Sequence, residues 1–239
     1  MKRAVLLTLI GIASLLSVIP SNAQQLSYSD AAQAYNRLLI ERGNGTFQRI
    51  STYKVQGTQF LFGEKHQGNM FAAGETAYNI RLSYNTYNQE LEFNSSANPT
   101  QPLVKSAKEV DSFVIKPNAD LGIAENLKFV NGRHLKASDN SFYQVVYAGS
   151  KFSLYKKYKS TLGIVTTNYI DADLRQFNLE YEYFYFDEAT KELKKLKLNN
   201  SFVKKEFKQV SDMDNILERD PLGGNPEVAL KEIFIFLNQ

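Results

Sequence analysis

The 239-residue chain contains no cysteine. This absence excludes disulfide bonds, thiol nucleophiles, CxxC redox pairs and zinc sites built on thiolates. It also argues against a lipoprotein, because lipid attachment at an export signal needs a thiol at the new N-terminus. Side-chain packing alone must therefore hold the fold.

Histidine is almost as scarce, with only His66 and His134 in the chain. Each stands alone in a polar, turn-like context, which predicts solvated loop histidines rather than parts of a triad or a metal site. No phosphate loop, HExxH, GxSxG or dinucleotide glycine pattern is present. The sequence thus predicts no catalytic residues, no metal and no cofactor, and favours a non-enzymatic role.

The N-terminus has the three parts of a secretory signal peptide, predicted to span residues 1–23. Lys2 and Arg3 are followed by an apolar run to Ile19, and Ser21-Asn22-Ala23 is a small-residue cleavage site. An uncleaved membrane anchor is the alternative. Cleavage leaves no predicted transmembrane span, and we expect the product to be periplasmic or at the cell surface.

The charge of the chain is close to neutral. Removing residues 1–23 removes Lys2, Arg3 and no acidic residue, which lowers the net charge from +3 to +1. A near-neutral chain lacks the electrostatic footprint of a nucleic-acid-binding protein. Aromatic residues make up 13% of the chain, which indicates a β-rich core.

Apolar alternation predicts a mainly β (α+β) fold, with a twisted antiparallel sheet or a partly open barrel over residues 24–198. A helix is predicted to open this domain, from Ser29 through Leu39 with Gly43 as its stop. The alternation over 80–93, interrupted by a polar turn at 85–90, predicts a hairpin with one buried face.

A second hairpin is predicted around Gly149-Ser150. A two-residue turn at that point sets Val145 opposite Leu154 and Tyr147 opposite Phe152, with all four side chains on one face. Ser153 then lies on the opposite face, where we expect replacement by alanine to be nearly silent.

Residues 199–239 predict a small helical C-terminal appendage. Ser201 is the predicted cap of a first helix, and Ser211 with Asp214 resembles a capping box for a second. Pro226 and Glu227 begin a third helix. Its buried face is predicted to consist of Leu230, Ile233, Phe234 and Leu237.

Four residues are the candidate surface-site residues of this sequence: Glu180, Glu182, Tyr155 and Lys157. The two glutamates alternate along one strand at a spacing of about 7 Å, which suits paired-carboxylate glycoside chemistry but is ordinary on the wet face of a sheet. Tyr155 and Lys157 belong to an interleaved Lys-Tyr segment that fits an anionic glycan or lipid headgroup, and lysine also protects exposed strands. We favour the solvated-strand interpretation for both pairs.

Two segments carry a family resemblance: Gly57-Thr58-Gln59-Phe60-Leu61 and the block from Leu82 to Phe93, which reads LSYNTYNQELEF. With Gly68, they resemble a family of uncharacterised exported proteins of the Bacteroidota. Gln59 departs from its pattern, where proline is usual. The resemblance implies export and a similar architecture, but it supplies no site residues.

These features favour an exported, non-enzymatic cell-envelope protein that acts as a binding or interaction module. Its partner is expected to be another envelope protein, a glycan or a lipid. A glycan hydrolase using strand carboxylates and a periplasmic carrier of a lipid or lipoprotein are the alternatives.

We predict that the mature protein begins at Gln24, because Ser21 and Ala23 fit the small-residue cleavage pattern. N-terminal sequencing of the exported protein checks this. A stable membrane-bound form that retains Met1 would contradict it.

Overall fold

The computed structural model describes residues 39–41, 47–49, 54–94, 102–164 and 174–239. The chain divides into two compact units, Met1–Thr52 and Tyr53–Gln239. The predicted signal peptide and the predicted helix up to residue 38 lie outside the described residues.

The described part of the first unit is a short antiparallel pair. Strand β1 (Leu39–Glu41) pairs with β2 (Phe47–Arg49). Leu39 was predicted to end a helix, and this part of the prediction is wrong. The backbone of Leu39 pairs with Arg49 of the neighbouring strand instead of forming helical hydrogen bonds.

The second unit contains eleven described strands and three α-helices. The strands are β3 (Lys54–Gln56), β4 (His66–Ala72), β5 (Glu75–Asn85), β6 (Glu90–Asn94), β7 (Pro102–Ser106), β8 (Ser112–Ile115), β9 (Leu127–Asn131), β10 (Phe142–Tyr147), β11 (Phe152–Ile164), β12 (Leu174–Asp187) and β13 (Glu192–Leu196). The helices are α1 (Asn200–Glu206), α2 (Met213–Arg219) and α3 (Pro226–Leu237). None of the helices in the described residues is long and apolar enough to cross a membrane.

The eleven strands form one mixed sheet that is not closed, in the order β13-β12-β11-β10-β9-β8-β4-β5-β6-β7. Every pairing along this path is antiparallel, and only β3 runs parallel to its neighbour β12. The predicted mainly β fold class is therefore confirmed. The predicted hairpin is also confirmed, since Leu82 pairs with Phe93 and Tyr84 with Leu91.

The sheet curls so that two strands far apart in its order meet. The turn between β5 and β6 reaches β11, although four strands lie between β5 and β11. The Ser160 N–H donates to the Thr86 carbonyl at 3.1 Å. The Thr86 and Ser160 hydroxyls are 2.6 Å apart and both buried. The sheet is thus a partly open barrel with an inner and an outer face.

Aromatic side chains fill the middle of the inner face. Tyr84 packs edge-on against Phe113, Phe129 and Phe142 at centroid distances of 5.3 to 5.6 Å. Phe113 and Phe129 stack at 4.6 Å. All four side chains are fully buried, so packed rings occupy this part of the barrel interior.

The three helices cover the inner face at the start of β11, at the end of β12 and at β13. Leu154, Tyr183 and Tyr185 share one hydrophobic cluster with residues of all three helices. The predicted face of α3 is confirmed, because Leu230, Ile233, Phe234 and Leu237 are all buried there.

The helix starts differ in detail from the prediction. Asn199, not Ser201, caps α1, and its side chain accepts from the Phe202 N–H at 3.1 Å. The α2 helix begins at Met213, and its cap residue Asp212 makes no side-chain capping bond. Pro226 opens α3 as predicted.

The predicted register of the β10–β11 hairpin is wrong, by one residue at Val145 and by two residues at Tyr147. Val145 lies opposite Tyr155, Tyr147 lies opposite Leu154, and Val146 is an extra residue in a β-bulge. The connection has four residues, 148–151, instead of two. Val145 therefore packs on the outer face, while Tyr147 and Leu154 face the helices.

Side chains outside the turn explain the longer connection. The Ser153 hydroxyl accepts from the Gly149 N–H at 3.1 Å and lies 3.3 Å from the Gly149 carbonyl. Asn238, just past α3, accepts from the Lys151 and Phe152 N–H groups at 2.8 and 3.1 Å. A Cβ at Gly149 would lie 2.2 Å from the Asn238 side chain, so this close approach requires glycine.

We predict that Ser153→Ala destabilises the protein by about 1–2 kcal/mol, because the buried hydroxyl bonds the Gly149 backbone. This reverses the expectation from the sequence. Leu154→Ala is expected to cost about 2–5 kcal/mol, since Leu154 is fully buried. Urea unfolding measures both effects, with exposed Ser150→Ala as the silent control. Equal stability of the two serine variants would contradict the observed turn.

Candidate functional site

The predicted glutamates lie on the outer face of β12 and are exposed. Glu180 stands opposite Lys159 of β11, and Glu182 stands opposite Lys157. The Glu182 carboxylate also forms an ion pair with Lys195 of β13. Both carboxylates thus face solvent beside lysines, which is ordinary on the wet face of a sheet.

Lys157 is neutralised by a carboxylate on the same face. Its ammonium forms an ion pair with Asp139 and lies 5.6 Å from the Tyr143 ring centroid. Burial alone would raise the pKa of Asp139. The hydrogen bond and the charge of Lys157 outweigh this effect, so the pKa lies below its usual range. Lys157 therefore fastens the 132–141 connection to the sheet.

Tyr155 was expected at the surface, and the structure places it in a buried cluster. Only 9% of the residue is exposed, and it packs with Leu135, Tyr143 and Phe186 on the outer face. Burial raises the pKa of its phenol. Tyr155 contributes to packing.

His66 also differs from the expectation, because it is buried rather than solvated. Its Nε2 lies 3.0 Å from the Leu61 carbonyl and 3.1 Å from the Gly63 carbonyl, so Nε2 carries the donated proton. Its Nδ1 has no hydrogen-bond partner among the described residues. His66 shapes the 57–65 loop. His134 is exposed and lies 3.1 Å from Asp111.

The YNTYNQE block from Tyr84 to Glu90 has a structural explanation. Asn85 accepts from the N–H groups of Tyr87 and Asn88, which forms the β5–β6 turn. The Gln89 amide then donates to the Thr86 carbonyl at 2.8 Å. These polar residues are the ones that shape the turn.

The same Gln89 side chain ties the turn to distant strands. Its amide also donates to the Tyr158 carbonyl of β11 at 3.1 Å. Its carbonyl oxygen accepts from the Tyr84 hydroxyl at 2.7 Å. The most distinctive motif of the sequence is therefore part of the connection that curls the sheet.

The candidate binding site is a part of β12 whose inner face is exposed and whose edge pairs with no strand among the described residues. We name it the β12 window, residues 178–182, all of which are exposed. Leu179 and Tyr181 point to the inner face, yet they are 47% and 46% exposed, whereas Tyr183 on the same face is buried. Exposed apolar groups that interrupt a buried stripe mark interaction sites.

Further apolar residues border the window on the inner side of the sheet. Phe62 contacts Tyr158 edge-on at 6.1 Å, and Tyr87 contacts Phe177 edge-on at 5.5 Å. Both Phe62 and Tyr87 are exposed. They widen the apolar surface that begins at Leu179.

At the same residues, the edge of β12 lies between two neighbouring strands of the described sheet. On the side away from β11, β3 pairs with residues 174–176 and β13 pairs with residues 183–187. No strand in the described part of the chain pairs with the window on this side. The window is thus a gap about 17 Å long between two strands, given a rise of about 3.3 Å per residue.

Lys156 sets the charge at one end of the window. Its ammonium lies 4.5 Å from the Tyr181 ring centroid and 3.1 Å from a carboxylate oxygen of Glu227. The Tyr183 hydroxyl donates to the same carboxylate at 3.2 Å. Burial alone would raise the pKa of Glu227, but the charge of Lys156, aided by Lys231, lowers it. The result is a locally neutral, aromatic surface.

A pocket of about 540 Å³ lies elsewhere, between the β4–β5 turn and the β7–β8 loop. Arg133, one of its lining residues, is held by the Asp111 carboxylate, which also accepts from the Ala73 N–H at 2.9 Å. The Arg133 bond is the main cause that lowers the pKa of Asp111. Arg133 and Asp111 thus satisfy each other, whereas the exposed Lys108 also lines the pocket.

Comparisons with protein-family models, curated proteins and solved structures found no match to this chain. The functional assignment therefore depends on the geometry of the β12 window. In the described residues, no group of three or more histidine or acidic side chains is placed to hold a metal ion.

We predict that Lys156→Met destabilises the protein by about 1–3 kcal/mol at pH 7, because it leaves the Glu227 carboxylate without its main partner. Adding Glu227→Gln recovers part of this loss. Exposed Lys159→Met is the control. Urea unfolding measures all three, and equal effects of the two lysine variants would contradict the pairing.

The pH dependence has a defined sign. The pKa of Glu227 is lower in the folded protein than in the unfolded chain, so its stabilising effect is present above the unfolded pKa of about 4.3. It is lost as the pH falls through the folded pKa. We expect Glu227→Gln to flatten the loss of stability in this acidic range, as measured by urea unfolding at a series of pH values.

Proposed function

We propose that this protein is an exported, non-enzymatic cell-envelope protein that binds another envelope component through the β12 window. The observation that carries this proposal is the coincidence of exposed apolar side chains and an open strand edge at residues 178–182. Natural proteins usually pair or cover such an edge. Binding of a partner gives this edge a use.

Another protein is the partner that this surface fits best. A sheet edge offers backbone N–H and C=O groups, which pair most completely with another polypeptide backbone. The aromatic Tyr181 and the apolar Leu179 supply the kind of contact that is enriched at the centres of protein interfaces. Lys156 is already paired with Glu227, which leaves it little attraction for an anionic glycan or lipid headgroup.

The two alternatives have weaker support. A hydrolase using Glu180 and Glu182 needs an enclosed site, whereas both carboxylates face solvent beside lysines. A lipid carrier needs an apolar cavity, whereas the rings of Tyr84, Phe113 and Phe129 pack closely inside the sheet. Export itself is proposed from residues 1–23 and from the family resemblance.

We predict that a photo-crosslinking amino acid at position 181 captures a distinct envelope protein in living cells. The matched control is the same substitution at Tyr78, which is 67% exposed. Tyr78 lies on β5, which is not a neighbour of β12 in the sheet. Gel analysis and mass spectrometry identify the adduct. Identical adducts at positions 78 and 181, or none at 181, would overturn the proposal.

A further inference from the structure

The geometry points to strand addition as the binding mode: the β12 window accepts an extended peptide segment that alternates apolar and basic residues. This inference rests on the proposed function and specifies its partner. The segment fills the gap between β3 and β13 and hydrogen-bonds to the backbone of β12. The argument depends on the edge, the inner face and the outer face of the same residues.

The edge fixes the length and the conformation of the bound segment. β3 ends opposite Gln176, and β13 begins to pair at Tyr183, so six positions of β12 lie between them. Alternate backbone amides of a strand point to opposite sides, and β11 satisfies those on its own side. The others point into the gap, where an extended backbone accepts them.

The inner face selects apolar side chains at alternate positions. Side chains of an added strand that share the face of Leu179 and Tyr181 come within cross-strand contact of both. That face is apolar and exposed, and the nearest charge, Lys156, is neutralised by Glu227. A charged side chain at these positions would lose water without gaining a partner.

The outer face selects basic side chains at the intervening positions. Glu180 is exposed there and lies opposite Lys159 on the β11 side. On the other side, Lys195 of β13 pairs with the neighbouring Glu182, and none of the described residues forms an ion pair with Glu180. A lysine or arginine of an added strand completes this carboxylate's cross-strand surroundings.

The test uses the mature full chain and a synthetic peptide, acetyl-Val-Lys-Val-Lys-Val-amide. NMR first measures amide exchange of residues 178–182 in the free protein, where alternate amides are expected to exchange as freely as in an exposed chain. Saturating peptide is expected to slow those amides by about tenfold. A peptide with the same residues and N-methylated backbone amides is expected to give no protection.

Removing a charge from the protein and reversing the charge of the peptide test the chemistry of the outer face. Glu180→Gln is expected to weaken binding of the Val-Lys peptide by up to about fivefold. Glu218→Gln, which makes the same charge change on exposed α2, is the control and leaves binding unchanged. An acetyl-Val-Glu-Val-Glu-Val-amide peptide is expected to bind the unaltered protein more weakly than the Val-Lys peptide.

The outcomes separate this inference from the proposed function. If position 181 captures a partner but neither peptide protects the window amides, strand addition is wrong and partner binding stands. If the window amides are already protected in the free chain, the gap is filled and both ideas fail. If the adduct at position 181 is a second copy of this chain, the foreign partner is wrong. Protection that needs a free peptide backbone and Glu180 supports the inference.

Discussion

The buried contact between the β5–β6 turn and β11 is the constraint on which the rest of the structure depends. A sheet of this many strands has to cover its apolar face, and this one does so partly by bending over itself. The hydroxyls of Thr86 and Ser160 and the side chain of Gln89 bridge strands that are not neighbours. Because these polar groups satisfy one another away from water, the bend is specific.

The bend divides the inner face into three parts that differ in how they are covered. One part is filled by the aromatic cluster around Tyr84, and a second is covered by the three helices. Lys156 and Glu227 link strand β11 to α3 where these two parts meet. The third part, at Leu179 and Tyr181, stays exposed. The candidate site is therefore the part of the inner face that neither the aromatic cluster nor the helices bury.

Patterns with a local cause could be predicted from the sequence. The β5–β6 hairpin follows from alternation plus a turn, and α3 follows from Pro226 and its apolar spacing. The β10–β11 register could not be predicted in this way, because a bulge at Val146 and the distant Asn238 decide it. His66 was predicted to be solvated because its sequence neighbours are polar. The Leu61 and Gly63 carbonyls that bond its buried ring cannot be recognised from the sequence.

The candidate site was only half visible in the sequence. Glu180 and Glu182 could be identified as solvent-facing, but Leu179 and Tyr181 have the same alternation as Tyr183 and Tyr185. Only the tertiary structure distinguishes them, because the helices cover one pair and stop before the other. Whether a strand edge is open is likewise a property of the whole sheet, which no local pattern encodes.

Through Asn238, the last helix helps to fix the turn of the β10–β11 hairpin. Asn238 lies 86 positions from Phe152 along the chain, yet its side chain accepts from the Phe152 N–H and donates to the Phe152 carbonyl. The alignment of β10 with β11 therefore depends on the packing of α3 against the sheet, and a change that displaces α3 also removes the hydrogen bonds that fix this turn.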